Sequence, residues 1–387
     1  MVTDAQLERL KDVIQDCNLN FLLGSGLSSP YLRTLGNIET LLARVEQSNL
    51  EDAEKQVLRC SLYKLYFDDV MAKNLAVLKA DQTAAENMRA YNDFLRTLNS
   101  ILLRRRSSLL GKEVNLFTTN IDVFLEKAIE EIGLESNDGF NGRFKPLFSL
   151  SNFNKSRFKR SLHFDNLSEL PVFNLFKLHG SLTWIMENDT RIVFSPDLAQ
   201  VERLKQVVIP SGCLVEVTAE STIEGLAKAV SGLTVHESLT KFLSVYEEFL
   251  IVNPTKEKFK HTLLNYTYYE LLRIFSNELE KDNSVLFVMG FSFADEHIKE
   301  ITLRAANSNP TLIVYVIAHS SKSADAIRGH FGKNSIKNAN IQFIAPTLGP
   351  DGDDMVFDLA TINREILGKL FKDESPQSAP SDFEEEE

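Results

Sequence analysis

Polar side chains follow two predicted hydrophobic strands at the points where those strands end. After residues 114–117 the chain places Thr118, Thr119, Asn120 and Asp122. After residues 172–178 it places His179 and a glycine. Because side chains at the carboxyl ends of parallel strands line the ligand crevice, these tips can meet over one ligand. A lone histidine is usually structural, but one at a strand tip beside a second polar tip is a candidate functional residue.

Two further predicted strands end on glycine and hydroxyl side chains. Residues 19–23 run into a turn that contains Gly24, Ser25, Gly26 and Ser28. A strand followed by such a turn can bring backbone N–H groups close to a phosphate. Residues 284–289 run into Gly290 and Ser292, which suit close backbone approach and hydrogen bonding to a ribose or phosphate.

The glycine-rich turn lacks the complete dinucleotide fingerprint G-x-G-x-x-G. Ser29 occupies the position of the third glycine, and no acidic residue ends a second strand at the usual distance. This pattern argues against an ordinary nicotinamide dehydrogenase. A plain loop that happens to contain two glycines is the alternative interpretation of the turn.

The order of the predicted elements indicates the fold class. Strands are predicted at 19–23, 114–117, 172–178, 249–252, 284–289, 311–318 and 341–344. Helical patterns separate most of them, so the sequence predicts an α/β fold with a doubly wound, mostly parallel sheet. Residues 38–110 are rich in helix formers and are interpreted as a helical insertion. Residues 199–247 predict a second helical insertion, and residues 1–371 together form one domain.

Composition and charge limit the classes of function. The 387 residues are 43% hydrophobic and 25% charged, which is ordinary for a soluble globular protein. A net charge of −12 argues against a general nucleic-acid binder. No apolar run reaches transmembrane length, and the first residues lack the pattern of a signal peptide, so a cytoplasmic location is expected. The three cysteines are far apart in sequence, so no structural zinc site and no other metal is expected.

Three charged segments lie outside the predicted polar strand tips. Residues 155–160 are basic and include Phe158, and Phe153 lies two residues before them. Basic residues interleaved with aromatic ones are compatible with nucleic-acid contact. A surface loop with its aromatic side chains turned inward is the favoured interpretation. The arginines at 104–106 are expected to end a helix in solvent. Residues 372–387 are rich in Ser, Pro and Glu and predict a disordered acidic tail.

The four polar tips occur in the order of the NAD-binding motifs of sirtuins. The matching segments are GSGLS at 24–28, TTNID at 118–122, KLHG at 177–180 and GFS at 290–292. Each segment is short, but their combination is specific and touches strands from residue 18 to residue 318. The chain therefore resembles the sirtuins, which implies a Rossmann-like NAD-binding domain that cleaves the bond between nicotinamide and ribose.

The resemblance also implies a role for each matching residue. Asn120 would orient the attacking water, and His179 would act as a base or as a ribose contact. Asp122 would hold the amide of the nicotinamide. The other NAD contacts would come from Gly24, Ser25, Gly26, Ser28, Thr118, Thr119, Gly290 and Ser292.

Several features of the protein-deacylating sirtuins are missing. The four-cysteine zinc module has no counterpart, Thr119 replaces a Gln, and the Asp-Phe-Arg stretch after the glycine loop is absent. A groove for an acyl-lysine peptide is therefore not expected. The chain is more similar to the sirtuin-like NAD hydrolases of bacterial antiviral defence, including those that assemble with a HerA-type ATPase. The run FSFADEHI at 291–298 resembles their late motif.

These observations lead to the expectation of an NAD glycohydrolase that depletes NAD in antiviral defence as part of a complex. Breaking the glycosidic bond develops positive charge on the ribose, so the site must position water and stabilise that charge. A zinc-free deacylase or ADP-ribosyltransferase, and a non-catalytic module that senses NAD or ADP-ribose, are the alternatives. Because both predicted helical insertions carry apolar stripes, we also expect a homo-oligomer larger than a dimer. The alternative is that these stripes pack only onto the protein's own sheet domain. The resemblance adds a HerA-type ATPase as a partner.

Overall fold

The computed structural model describes residues 4–34, 36, 38–105, 110–163, 165–218, 220–252, 262–332, 337–346 and 355–371. The predicted acidic tail at 372–387 lies outside these residues. No helix in the described ranges is both long enough and apolar enough to cross a membrane.

Strands are distributed along most of the described chain. They are β1 (Asn18–Leu23), β2 (Glu113–Thr118), β3 (Glu135–Asn137), β4 (Phe140–Asn141), β5 (Leu147–Phe148), β6 (Arg157–Arg160), β7 (Leu167–Leu170), β8 (Val172–Lys177), β9 (Trp184–Glu187), β10 (Arg191–Phe194), β11 (Ser284–Met289), β12 (Ile313–Ile317) and β13 (Ile341–Ile344). Seven of them form one parallel sheet in the order β13-β12-β11-β1-β2-β8-β3. The prediction of an α/β fold with a doubly wound, mostly parallel sheet is confirmed.

Helices cover both faces of this sheet. They are α1 (Asp4–Asp16), α2 (Ile38–Gln47), α3 (Asp52–Tyr66), α4 (Asn74–Leu78), α5 (Ala85–Arg104), α6 (Phe124–Ile132), α7 (Ala199–Lys205), α8 (Ile223–Val230), α9 (Glu237–Tyr246), α10 (Thr262–Glu280), α11 (Glu296–Ser308), α12 (Ser321–Phe331) and α13 (Leu359–Glu365). Alternate strand residues point to opposite faces. Thus Phe21 packs against Phe94 of α5 on one face, and Phe117 packs against Phe275 of α10 on the other. Each face carries its own hydrophobic core.

A row of buried amides crosses the middle of the sheet. Asn115 donates to Asn20 at 2.9 Å, Asn174 donates to Asn115 at 2.9 Å, and Asn137 donates to Asn174 at 2.8 Å. These residues lie opposite one another on β1, β2, β8 and β3. Asn115 also donates to Glu278 of α10 at 3.0 Å. Because a one-residue slip would leave these buried groups unpaired, the row fixes the strand register.

The two predicted helical insertions are helical, and they pack against each other. The Tyr63 ring of α3 stacks on Tyr246 of α9 with centroids 4.3 Å apart, and Phe67 meets Phe242 edge to face. Helix α5 instead covers the sheet, as a crossover helix does. Apolar side chains that suggested an exposed stripe, such as Leu62, are fully buried within this chain. The helical stripes therefore no longer support an oligomer, which stays a prediction.

Two predicted elements differ in the structure. Residues 249–252 do not add a strand to the sheet, because Ile251 forms only a single antiparallel bridge to Gly180. The region 135–170, in which no strand is predicted, contributes β4 and β5 to a four-stranded antiparallel sheet with β9 and β10, and its β6 pairs with β7 as a ribbon. Phe153 is buried as expected of an inward-turned aromatic, whereas Phe158 is exposed.

The arginines at 104–106 do not simply end a helix in solvent. Arg105 is buried, and its guanidinium donates to the carbonyls of Ile14, Cys17 and Gly111. It satisfies carbonyl groups at the end of α1, which have no partners within the helix. Arg106 lies outside the described residues.

Candidate functional site

The candidate residues follow the carboxyl ends of four adjacent strands, β11, β1, β2 and β8. The chain extends the sheet outward from β1 in one direction and from β11 in the other. The junction of these two strands is therefore the topological switch point, where open α/β sheets bind ligands. All four predicted polar tips lie on this edge.

Close packing of two loops at this junction explains three of the predicted glycines. A Cβ atom on Gly24 would lie 2.4 Å from the carbonyl oxygen of Gly290, and one on Gly26 would lie 3.0 Å from it. The Gly26 N–H donates to that same oxygen at 3.0 Å. A Cβ on Gly290 would meet Leu27 at 2.7 Å. The glycines are thus required by contact between the loops after β1 and β11. From the sequence they were related only to the close approach of a ligand.

The candidate serine and threonine side chains at this edge of the sheet differ in their surroundings. Ser25 and Ser292 are exposed at the crevice edge, whereas Ser28 is fully buried beneath it. The hydroxyl of Thr118 donates to the Leu23 carbonyl at 2.9 Å and so joins the ends of β1 and β2. Thr119 is half-buried, and its N–H donates to the same carbonyl at 3.3 Å.

Asn120 is held rigidly at the tip of β2. Its backbone N–H donates to the hydroxyl of Thr118 at 3.0 Å, and its Nδ2 donates to the Gly24 carbonyl at 3.2 Å and to Ser28 at 3.4 Å. Since both Nδ2 contacts are acceptors, the amide orientation is determined. Its Oδ1 is buried and has no hydrogen-bond partner among the described residues. Such an orphaned acceptor at a predicted site is a point where a ligand or water can donate a hydrogen bond.

Asp122 belongs to a buried network that includes a tyrosine from the first helical segment. Ser28 Oγ donates to Asp122 Oδ2 at 2.7 Å, so it accepts from the hydroxyl of Tyr91, 2.8 Å away. The other carboxylate oxygen accepts the N–H of Phe124 at 3.3 Å. Burial, with a smaller effect from Asp122, raises the pKa of Tyr91 well above its usual value. Tyr91 was missed from the sequence, because only the folded chain brings α5 to this tip.

His179 lies at the tip of β8 and faces an acidic residue from across the crevice. Its Nε2 is 3.1 Å from Oδ2 of Asp295, and both side chains are 18% exposed. The next residue, Gly180, has φ +78°, and a Cβ there would lie 1.9 Å from the carbonyl of Leu250. Glycine is therefore required after His179, so that the chain near Leu250 can close against this tip. The contact with Asp295 was not predicted, although the run that contains it was noted.

A buried ion pair lies behind the tips of β2 and β8. Lys177 is 3.0 Å from Glu126 and also donates to the Asp122 carbonyl. The hydroxyl of Ser181 donates to Glu126 at 3.2 Å. Burial raises the pKa of Glu126, and the Lys177 ammonium partly offsets this. The pair thus links the loop that carries Asn120 to the loop that carries His179.

Comparisons with known proteins assign no family. No protein-family model matches the chain, and no curated protein matches it. Among the described residues, no group of three or more His, Cys, Asp or Glu side chains is arranged to hold a metal ion.

Proposed function

We propose that this protein is an NAD glycohydrolase that releases nicotinamide and ADP-ribose. The observation that carries the proposal is the side chain of Asn120. It is oriented by two hydrogen bonds through Nδ2, and its buried Oδ1 is left as an acceptor at the tip beside the switch point. A water that donates to this oxygen would be positioned for attack, which is the role that the sirtuin resemblance implies for this residue.

The reaction requires one bond to form while another breaks. The water oxygen bonds to the anomeric ribose carbon, and the carbon–nitrogen bond breaks with its electron pair going to the departing nicotinamide. The proton lost by the water must be accepted, and His179 is the candidate base. Positive charge on the ribose is favoured near carboxylates, and Asp122 supplies one close to Asn120.

Asp122 fits the role of a nicotinamide contact without losing its protein partners. Its two oxygens accept from Ser28 and from the N–H of Phe124. An ionised carboxylate offers about four lone-pair positions, so it can accept a further amide donor. The remaining NAD contacts are assigned from the resemblance to Thr118 and Thr119 and to the loops after β1 and β11. On these two loops Ser25 and Ser292 expose their hydroxyls.

The role in the cell is proposed from the resemblance. The protein would deplete NAD in antiviral defence, within a homo-oligomer larger than a dimer and together with a HerA-type ATPase. Such an enzyme would be harmful if it were always active, so activity gated by assembly is part of the proposal. Light scattering of the purified chain, alone and with a ring-forming ATPase, measures this assembly.

Incubation of the purified protein with NAD, alone and together with the ATPase, followed by chromatography and mass spectrometry, tests the activity. We expect equal amounts of nicotinamide and free ADP-ribose, with cleavage abolished by Asn120→Ala and by His179→Ala. His330→Ala is the matched control, because His330 is exposed on α12 away from the site. O-acyl-ADP-ribose or a modified protein would instead identify a deacylase or a transferase. Binding without cleavage, with the ATPase also present, would identify a sensing module.

A further inference from the structure

Asp295 uses its two carboxylate oxygens for two different tasks. Oδ1 accepts the backbone N–H groups of His297 at 2.9 Å and Ile298 at 3.1 Å, so the residue caps the N-terminus of α11. Oδ2 faces Nε2 of His179 at 3.1 Å. Because the helix end fixes Oδ1, the oxygen that faces the imidazole is also fixed.

This contact spans the crevice. His179 follows β8 and Asp295 follows β11, and the sheet places β1 and β2 between these two strands. The pair therefore sets the position of the imidazole relative to the far side of the crevice. Both side chains are largely shielded from water, which strengthens their interaction.

We propose that Asp295 is a positioning residue that holds His179 with its proton on Nε2 and leaves Nδ1 as the base. This inference rests on the proposed NAD hydrolysis. A carboxylate accepts and does not donate, so it favours the tautomer whose N–H points at it. When Nδ1 takes the proton of the attacking water, the carboxylate stabilises the imidazolium that forms. The imidazolium then releases its proton to solvent, which restores the starting state.

The substitution Asp295→Asn separates this role from helix capping. Asparagine caps helices as well as aspartate does, so the cap of α11 is kept. The backbone N–H groups of His297 and Ile298 hold the amide oxygen, so the NH₂ group is turned toward His179. That group donates to Nε2 and selects the opposite tautomer. We expect kcat to fall about 10²- to 10⁴-fold, with KM changed by less than about threefold.

The matched control is Asp358→Asn, which changes the N-cap of α13, where Asp358 accepts the N–H of Thr361, in the same way. We expect it to leave kcat unchanged, and we expect both variants to melt close to the wild type. Asp295→Glu keeps the charge and should recover part of the lost kcat. A wild-type kcat in Asp295→Asn would overturn the proposal. An increase would also overturn it, because the contact would then be a latch that restrains His179.

Nuclear magnetic resonance tests the tautomer without any assay of activity. The protein contains seven histidines, so the ¹⁵N signals of His179 are assigned by their loss in His179→Gln. We expect an Nε2–H signal pattern in the wild type and an Nδ1–H pattern in Asp295→Asn. An Nδ1–H pattern in the wild type would refute the inference. Failure of the wild type to cleave NAD, both alone and with the ATPase, would refute the proposed function, and the tautomer would still be decided.

Discussion

The buried pair behind the site gives a quantitative test, through the substitution Lys177→Met. Methionine has a similar length but no charge and no N–H donors. The change removes the 3.0 Å contact to Glu126 and the hydrogen bond to the Asp122 carbonyl. The carboxylate of Glu126 is then left buried, and its donors are the Ser181 hydroxyl and its own backbone N–H.

The size of the effect follows from the burial of both partners. Breaking a buried pair by removing one ion costs about 3 to 5 kcal/mol. When Glu126 is protonated no charge is stranded, and only lost hydrogen bonds remain, at about 1 to 3 kcal/mol. The expected loss of unfolding free energy is therefore about 2 kcal/mol larger at neutral pH than at low pH.

The sign of the pH dependence follows from the pKa of Glu126. Burial raises this pKa above 4.5 in the folded protein, and loss of Lys177 raises it further. At a pH between the pKa of Glu126 in the unfolded state and its pKa in the folded state, the folded state holds a proton that the unfolded state has lost. The free energy of unfolding therefore falls as the pH rises through this window, and it stays low above the folded-state pKa. The difference in unfolding free energy between the variant and the wild type should therefore increase with pH.

Urea unfolding near pH 5 and near pH 8, followed by the fluorescence of the single tryptophan, measures this gap. That residue, Trp184, is buried and reports on the folded state. Lys369→Met breaks a more exposed pair with Glu365 and should cost less than about 1 kcal/mol. The double variant Lys177→Met/Glu126→Leu should recover most of the loss. A loss in Lys177→Met that is equal at both pH values would refute the reasoning.

Further outcomes follow from the packing. Gly24→Ala should destabilise by more than about 2 kcal/mol, because its Cβ would lie 2.4 Å from the Gly290 carbonyl. Gly133→Ala, at φ +73° with open space around it, should cost only about 1 kcal/mol in the same thermal melts. Asn115→Leu should cost about 2 to 4 kcal/mol in urea, since it removes the donor to Asn20 Oδ1 and to Glu278 and the acceptor of the Asn174 amide inside the sheet. Light scattering that finds a monomer of 43.8 kDa at micromolar concentration would contradict the predicted oligomer.

The parallel sheet was predictable because its strands are short, apolar and bounded by glycine or polar residues. The bounds of β11 and β13 agree with the prediction. The antiparallel strands between residues 135 and 194 were not predicted. Strands of two to four residues carry too little periodicity to be distinguished from loops. Their pairing is set by tertiary contacts, such as the packing of Phe148 against Trp184.

The candidate site was predictable as a set of strand tips, but not as a set of contacts. The sequence places Asn120 and His179 after strands, and adjacency in a parallel sheet then brings their tips to one edge. It does not show that Ser28 bonds to Asp122, because these residues are far apart in the chain. Side chains from helices are harder still to foresee. Tyr91 looks like one apolar position among many on α5, and nothing local marks its hydroxyl as a site partner.

The apolar stripes of the helical segments show that a correct local pattern does not identify the neighbour that covers it. Leu58 and Leu62 do lie on one buried face, as their spacing indicates. Part of the surface that packs against α3 comes from α8 and α9, about 170 residues later in the chain. Periodicity identifies a face that must be buried, but it carries no information about which surface buries it. Evidence for a partner must therefore come from surfaces that stay exposed in the folded chain, such as the ribbon that carries Phe158.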